Sequence, residues 1–230
     1  MIVMEKLITL IDNDTLKIAY FNKESDDIFL AFSSTPRLAQ GEEVAIEQFI
    51  GTLSNNKKAA IFIIDKQSSY GNKIDMNEIA DLIAPIVNGR KTNAIGYCMG
   101  GFLAIDMSRY IKIESVVAIT PQWSIHPSIL PKDSYLNVFT NRIDSWKMVD
   151  LSQSFNDITN YFIFNSNDGD DQYQIRFFPS IDNLKIFEFG PAFGHDLPEA
   201  LNDGTLESLM LDCVYGNSDL VSGFISSYYE

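Results

Sequence analysis

The chain has 230 residues, of which 46% are hydrophobic and 21% are charged, a composition typical of one globular domain spanning residues 1–230. Its 17 basic and 31 acidic residues leave a net charge of −14, which argues against nucleic acid or an anionic membrane surface as a partner. No segment has the pattern of a secretory signal or the roughly 18 uninterrupted apolar residues of a membrane-spanning helix. With only Cys98 and Cys213 there is no disulfide framework, so we expect a cytoplasmic protein without membrane insertion.

The first elements in chain order are two alternating segments, KLITLI (6–11) and LKIAYFN (16–22). They predict an antiparallel hairpin that turns at Asn13 and Asp14. Nearly continuous apolar runs follow, and such runs are typical of strands buried on both faces of a parallel sheet. These runs are 27–34, 59–65, 93–97, 115–120, 160–165 and 183–190.

Segments with a helical pattern lie between these runs, at 43–53, 75–89, 99–111 and 197–215. In the second of them apolar residues recur at i, i+3, i+4 and i+7 spacing, and Gly89 supplies a C-cap. Gly204 marks a break in the last one. Strands that alternate with helices predict an α/β fold, a doubly wound, mostly parallel sheet with helices on both faces.

One segment, residues 122–159, separates two predicted strands by more than a plain helix requires. Long loops inside a compact domain tend to be functional, so we interpret this segment as a lid or a pocket insertion. Its aromatic residues Trp123, Tyr135, Phe139 and Trp146 could line a pocket. The alternative is a set of surface loops with a helix packed on the edge of the sheet.

The motif Gly96-Tyr97-Cys98-Met99-Gly100 joins a predicted strand to a predicted helix. This spacing indicates a nucleophile elbow, a tight turn in which small flanking residues let the strand and the helix approach each other. Cys98 would lie at the helix N-terminus, where the dipole and the free N–H groups lower the pKa of a thiol. The N–H of Met99 would form half of an oxyanion hole. The alternative is that Cys98 is a small buried hydrophobe at a tight corner.

The chain offers two histidines as a base for Cys98, His126 and His195. His195 lies in a glycine-rich loop after the last predicted strand, from which it can reach the carboxyl edge of the sheet. His126 lies within residues 122–159, so we predict His195 as the base. Two histidines in unrelated loops give no metal-ligand spacing, and we expect neither a metal site nor a cofactor.

Three aspartates, Asp168, Asp170 and Asp171, follow the predicted strand at 160–165. A catalytic histidine needs a carboxylate that orients it. Asp168 ranks first because it is nearest to the end of the strand, and Asp171 is the runner-up. The resulting chain order of nucleophile, acid and base is the order found in α/β-hydrolases.

The second oxyanion donor is expected from the loop after the strand at 27–34, where the backbone N–H of Ser34 or Thr35 is the candidate. The side chains expected to line the substrate pocket are Tyr97, Gln122, Trp123 and Trp146.

From residue 27 onward the chain resembles the α/β-hydrolase superfamily. GYCMGG resembles the family's Gly-x-Ser-Met-Gly-Gly elbow with cysteine in place of serine, NSNDGDD its acid loop and GHD its histidine loop. The cysteine nucleophile is similar to that of dienelactone hydrolases. The stretch VVAITPQWSIHPSILP is similar to a segment of small hydrolase-like proteins encoded among bacterial surface-polysaccharide genes. That likeness implies that Pro121 and Gln122 lie near the site, at the carboxyl edge of the sheet.

These motifs predict an enzyme that hydrolyses a carboxylic ester or thioester through an acyl group carried on Cys98, with His195 and Asp168 completing the triad. The expected substrate is a small molecule or a carrier-linked acyl compound. One alternative is an acyltransferase that uses the same triad. The other is a catalytically degenerate hydrolase-like protein that acts by binding or assembly.

Overall fold

The computed structural model of the protein describes residues 7–21, 24–35, 37–39, 42–44, 46–167, 169–190, 194–195 and 204–228. Its strands are β1 (Ile8–Asp12), β2 (Leu16–Phe21), β3 (Asp27–Phe32), β4 (Arg37–Ala39), β5 (Glu42–Val44), β6 (Ala59–Asp65), β7 (Lys91–Tyr97), β8 (Ser115–Ile119), β9 (Asn160–Ser166) and β10 (Leu184–Phe189). Its helices are α1 (Ile50–Asn55), α2 (Met76–Val87), α3 (Met99–Met107), α4 (Asn137–Thr140), α5 (Gly169–Ile175), α6 (Thr205–Val214) and α7 (Ser218–Tyr228).

The described strands form one eight-stranded sheet in the order β1-β2-β6-β3-β7-β8-β9-β10, with β4 and β5 as a separate antiparallel pair. β1 pairs antiparallel with β2, and β2 pairs antiparallel with β6. Every neighbouring pair from β6 to β10 is parallel. The predicted opening hairpin and the predicted mostly parallel, doubly wound sheet are both confirmed. All the parallel strands end at one edge, and β7 lies near the middle of it.

Apolar side chains fill a core on each face of this sheet, as the continuous apolar runs predict. One core contains side chains from α2 and α3 together with Leu136, Met148 and Leu151 of the long segment after β8. The other contains side chains from α1, α6 and α7. Because β6 and β8 are buried along their whole length, their sequences carry no alternation of polar and apolar residues.

Helix α2 confirms the predicted amphipathic helix and shows how its ends are fixed. The Asp75 carboxylate accepts hydrogen bonds from the backbone N–H groups of Asn77 and Glu78 at the first turn. Gly89 follows the last turn with a φ of 78°, a conformation that glycine adopts without steric cost. Within the described part of the chain, no helix is both long enough and apolar enough to cross a membrane.

The predicted helix at 43–53 is wrong over its first half. β5 extends to Val44, and helix α1 begins only at Ile50, directly after Phe49 with a left-handed φ of 64°. In the predicted helix at 197–215, residues 197–203 lie outside the described residues, and α6 starts directly after Gly204. The sequence reading also missed α5 and α7.

The segment 122–159 forms turns around the four-residue helix α4, and much of it is tied to the body of the domain. The Gln174 side chain accepts hydrogen bonds from the backbone N–H groups of Trp123 and Ser124 and donates one to the Ser124 carbonyl. Further along, the Ser154 hydroxyl donates to the buried Asp106 carboxylate at 2.8 Å. These contacts fix the two ends of the segment against helices α5 and α3.

Candidate active site

The turn between β7 and α3 consists of Cys98 alone, because β7 ends at Tyr97 and α3 begins at Met99. Cys98 has a φ of 55°, which is uncommon for a residue other than glycine and is concentrated at functional sites. The N–H of Cys98 donates to the Ile119 carbonyl at 2.9 Å, which anchors the turn to the adjacent strand β8. The elbow geometry therefore presents the Cys98 side chain at the carboxyl edge of the sheet.

The glycines of the motif allow backbones to touch at the elbow. A Cβ on Gly96 would lie 2.1 Å from the Gly100 carbonyl, and a Cβ on Gly100 would lie 2.1 Å from the Phe32 carbonyl oxygen. Contacts this short exclude any side chain at either position. The same closeness brings the end of β3 and the following Ser33 against the start of α3.

The Cys98 side chain is almost fully buried and is surrounded by polar groups from several elements. Its Sγ lies 3.8 Å from the Tyr70 hydroxyl and 3.5 Å from the Gln122 side-chain oxygen. The His195 ring and the Met99 N–H are also hydrogen-bond partners of the sulfur. Burial alone would raise the pKa of the Cys98 thiol, but the hydrogen bond and the positive charge of His195 outweigh it and lower that pKa.

The partner of His195 is Asp171, whose carboxylate oxygens accept from Nδ1 at 2.9 and 3.0 Å. Burial would lower the pKa of His195, but its bonds to Asp171 and Cys98 raise that pKa to about 10. The structure therefore joins His195 to the runner-up acid. The first-ranked Asp168 lies outside the described residues, and the Asp170 carboxylate accepts a hydrogen bond from the Ser134 hydroxyl.

Two tyrosine rings flank His195 and hold its ring in place. The Tyr97 ring lies 5.4 Å from the imidazole, and the Tyr97 hydroxyl donates to the His195 backbone carbonyl at 3.3 Å. The Tyr135 ring packs edge-on at 5.7 Å and is about half exposed to solvent. With these contacts, Asp171, His195 and Cys98 form one continuous hydrogen-bonded row, in which Asp171 orients the imidazole and the Cys98 thiol can give its proton to it.

The backbone N–H of Ser34, one of the two expected oxyanion donors, already has a partner. It donates to the side-chain oxygen of Gln48 at 2.8 Å. The neighbouring Ser33 hydroxyl donates to the Ile46 carbonyl at 2.7 Å, so the chain before α1 is fastened to the end of β3 at two points. Thr35, the other candidate, is one residue further from the elbow and partly exposed.

The four expected pocket residues divide into two groups. Gln122 and Tyr97 contact Cys98 and His195 directly. Trp123 instead packs against two other aromatic rings, Phe155 at 6.2 Å and Phe178 at 5.4 Å. Trp146 packs against the second histidine, His126, at 4.7 Å. The ring contacts of the two tryptophans thus involve neither Cys98 nor His195.

Gln122 is held in one orientation by its neighbours. Its amide nitrogen donates to the Thr120 carbonyl at 3.0 Å, and its oxygen accepts from the Tyr70 hydroxyl at 3.0 Å. The amide oxygen, rather than the nitrogen, therefore faces the Cys98 sulfur.

Tyr70 is a site residue that the sequence reading missed. It lies in the loop after β6 with a φ of 50°, and its side chain is fully buried. The buried Asp65 carboxylate shapes this loop by accepting from the N–H groups of Gln67, Ser69 and Gly71. The only available signal was the loop's position at the carboxyl end of a parallel strand, where ligand sites of α/β sheets form.

Known structures identify this architecture, although no protein-family model and no curated protein matches the chain. The capsule O-acetyltransferase of Neisseria meningitidis serogroup A is 14% identical, with a TM-score of 0.57 over 86% of this chain and 92% of that one. A lipase-esterase related protein from Clostridium acetobutylicum is 15% identical, with a TM-score of 0.52 over 84% of this chain and 97% of that one. A serine hydrolase without a lid from Xanthomonas campestris is 13% identical, with a TM-score of 0.50 over 89% of this chain and 94% of that one. The chain has the α/β-hydrolase fold.

Proposed function

We propose that the protein is an acyl-transfer enzyme that carries the acyl group as a thioester on Cys98. The observation that carries this proposal is the hydrogen-bonded row from Asp171 through His195 to the Cys98 sulfur, placed at the tip of the elbow. A buried thiol that served only to fill a corner would have no need of a histidine oriented by a buried carboxylate. Asp171 takes the orienting role that the sequence reading gave first to Asp168.

The proposed reaction begins with the proton of the Cys98 thiol on His195. The thiolate attacks the carbonyl carbon of the donor, a C–S bond forms and the electron pair of the carbonyl moves to its oxygen. As the tetrahedral intermediate collapses, the bond to the leaving group breaks and His195 gives it a proton. Water, deprotonated by His195, then attacks the thioester, releases the carboxylic acid and restores Cys98.

The same thioester can be attacked by an acceptor hydroxyl, which would make the enzyme a transferase. The structural similarity to a capsule O-acetyltransferase, a mutant of which is in complex with CoA, supports this variant. In both variants we propose a small or carrier-linked acyl donor. The net charge of −14 continues to disfavour a nucleic-acid partner.

The first test is the rate at which iodoacetamide alkylates Cys98 as a function of pH, read by mass spectrometry. Wild-type Cys98 should be labelled at lower pH than an ordinary thiol, because the hydrogen bond and the charge of His195 lower the pKa of its thiol. In His195→Ala the labelling should slow and shift toward the ordinary thiol pKa of about 8.5. His126→Ala is the matched control and should keep the wild-type profile.

Cys213 serves as an internal reference in the same digest, since burial raises the pKa of its thiol to about 12. The second measurement is the mass of Cys98 after incubation with p-nitrophenyl acetate or acetyl-CoA. An acetyl adduct on wild-type Cys98 that is absent in His195→Ala supports acyl transfer. Slow labelling and no adduct would contradict it, and the protein would then be a binding or assembly module on a hydrolase fold.

A further inference from the structure

The elbow supplies one clear oxyanion donor, the N–H of Met99, which already reaches the Cys98 sulfur. A tetrahedral intermediate in this fold needs a second donor, ordinarily a backbone N–H from the loop after β3. Here the N–H of Ser34 is committed to the Gln48 side chain at 2.8 Å. Of the two candidates in this loop, the nearer N–H is therefore engaged by the protein itself, and Thr35 lies one residue further from the elbow.

A different hydroxyl lies beside the nucleophile, in the loop after β6. The Tyr70 hydroxyl lies 3.8 Å from the Cys98 sulfur, and the ring that carries it is wedged edge-on against Phe102 of α3 at 5.5 Å. The Asp65 carboxylate fixes the backbone on both sides of Tyr70. The oxygen of this hydroxyl is thereby fixed in position, so only its O–H bond has to rotate when charge develops beside it, and a donor placed in advance in this way is an effective oxyanion donor.

We propose that the Tyr70 hydroxyl is the second oxyanion donor, acting together with the Met99 N–H. This inference rests on the function proposed above. When the thiolate attacks, the C–S bond forms and the carbonyl electrons move to oxygen, which then accepts hydrogen bonds from Tyr70 and Met99. No proton leaves Tyr70, and the hydroxyl turns from the Gln122 oxygen to the oxyanion and back.

The surroundings of Tyr70 keep its proton in place during this step. Burial first, and then the negative charge of Cys98, raise the pKa of Tyr70 well above its ordinary value. Among the described contacts, the Tyr70 hydroxyl donates to the Gln122 oxygen, which is neutral. Exchanging this bond for one to an anion therefore costs the hydroxyl little free energy.

The test compares two reactions of Cys98 in wild type and in Tyr70→Phe. Acetylation by p-nitrophenyl acetate passes through an oxyanion, whereas alkylation by iodoacetamide is a direct displacement that forms none. Both rates are measured across pH, and their plateau values are compared so that a change in the thiol pKa does not enter. We expect acetylation to fall about 100-fold or more, the loss typical of one oxyanion donor, and alkylation to change less than about threefold.

Tyr161→Phe is the matched control, because it removes an equally buried tyrosine hydroxyl. That hydroxyl contacts Ser108 at 2.7 Å, at the opposite end of helix α3 from Cys98. Both variants keep the aromatic ring, and thermal unfolding monitored by circular dichroism checks that each is folded.

The outcomes separate this proposal from the one on which it rests. Equal losses in the two reactions would mean that Tyr70 acts on the thiolate and would overturn the proposal, as would unchanged acetylation. If Gln48→Ala, and not Tyr70→Phe, loses acetylation, the second donor is the Gln48 amide and the proposal is again overturned. Wild-type Cys98 that is never acetylated defeats the proposed function itself, and this inference falls with it.

Discussion

At the scale of single residues, the site contains a cysteine where most proteins of this fold that use the elbow have serine. The lowered pKa of Cys98 and the raised pKa of His195 favour a thiolate beside an imidazolium over the two neutral side chains. In the proposed cycle the histidine takes the thiol proton before the sulfur attacks the substrate. His195 then protonates the leaving group and, in the hydrolytic variant, takes a proton from the water that attacks the thioester.

Asp171 should be needed to keep His195 in that state. In Asp171→Asn the carboxylate charge that raises the His195 pKa is lost, and the imidazole can turn to another tautomer. We expect the rate of Cys98 acetylation at neutral pH to fall by about 100-fold or more, and the pH at which alkylation of Cys98 begins to rise. The measurement is the acetylation rate with p-nitrophenyl acetate, beside the alkylation profile.

Asp168→Asn is the control for that experiment, since Asp168 belongs to the same acidic cluster. It should keep nearly the wild-type rate. A large loss in Asp168→Asn with little change in Asp171→Asn would restore the first ranking and contradict the arrangement seen here.

The sequence could indicate those candidate site residues that lie within a recognisable local motif. Cys98 lies between glycines at a strand-to-helix turn, and His195 follows the last strand, so both positions could be inferred from local pattern alone. Ranking the acids by distance along the chain assumed an extended loop, whereas residues from Gly169 onward form helix α5 and turn Asp171 inward. Tyr70 and Gln48 reach the site only through the packing of separate loops, which leaves no local pattern to read.

At the scale of elements, the elbow depends on the contact between α3 and the ends of β7 and β3. Gly100→Ala should lower the free energy of unfolding by about 2–3 kcal/mol or more, because the new methyl group would meet the Phe32 carbonyl oxygen at 2.1 Å. A backbone atom cannot move aside as the end of a flexible side chain can. Urea unfolding monitored by circular dichroism measures the change.

Gly51→Ala provides the comparison within the same chain. Gly51 lies in helix α1, and a Cβ there would have no atom within 4 Å. That variant should be about 1 kcal/mol more stable than wild type, since alanine is the better helix former. If the two variants changed the free energy of unfolding by the same amount, the backbones at the elbow would not be in close contact around Gly100.

The strands were predictable as elements because each apolar run is buried on two faces, and nothing in the sequence competes with that pattern. The structure of segment 43–53 was not predictable in the same way. Its apolar spacing suits a helix, but its first residues belong to β5 and pair with β4. The left-handed conformation of Phe49 then starts the helix late. Pairing between strands decides here whether a segment forms a strand or a helix, and a few residues of sequence cannot reveal that pairing.

At the scale of the whole molecule, the sheet divides the interior into two cores, and helix α7 covers part of the second. Val221 of α7 is fully buried there, while its neighbour Leu220 is 60% exposed. Val221→Asp should lower the free energy of unfolding by about 3 kcal/mol or more, because it places a charge in an apolar core. Leu220→Asp should change it by less than about 0.5 kcal/mol.

Both changes are read from urea unfolding of the full chain at neutral pH. Because the two positions are adjacent and receive the same charge, the change in net charge cancels in the comparison, and the small difference in helix propensity between valine and leucine favours the opposite order. Similar stabilities for the two variants would mean that α7 does not pack on the second core as described.

The fixed orientation of Gln122 has a consequence for how a catalytic cycle would end. Its nitrogen is engaged by the Thr120 carbonyl, so a partially negative oxygen faces the sulfur at 3.5 Å. A neutral ester or thioester tolerates that oxygen, but the carboxylate produced by hydrolysis is repelled by it and by a chain of net charge −14. In the proposed reaction the site would thus favour an uncharged substrate over a charged product, and we expect the free acid to be a poor inhibitor of Cys98 acetylation.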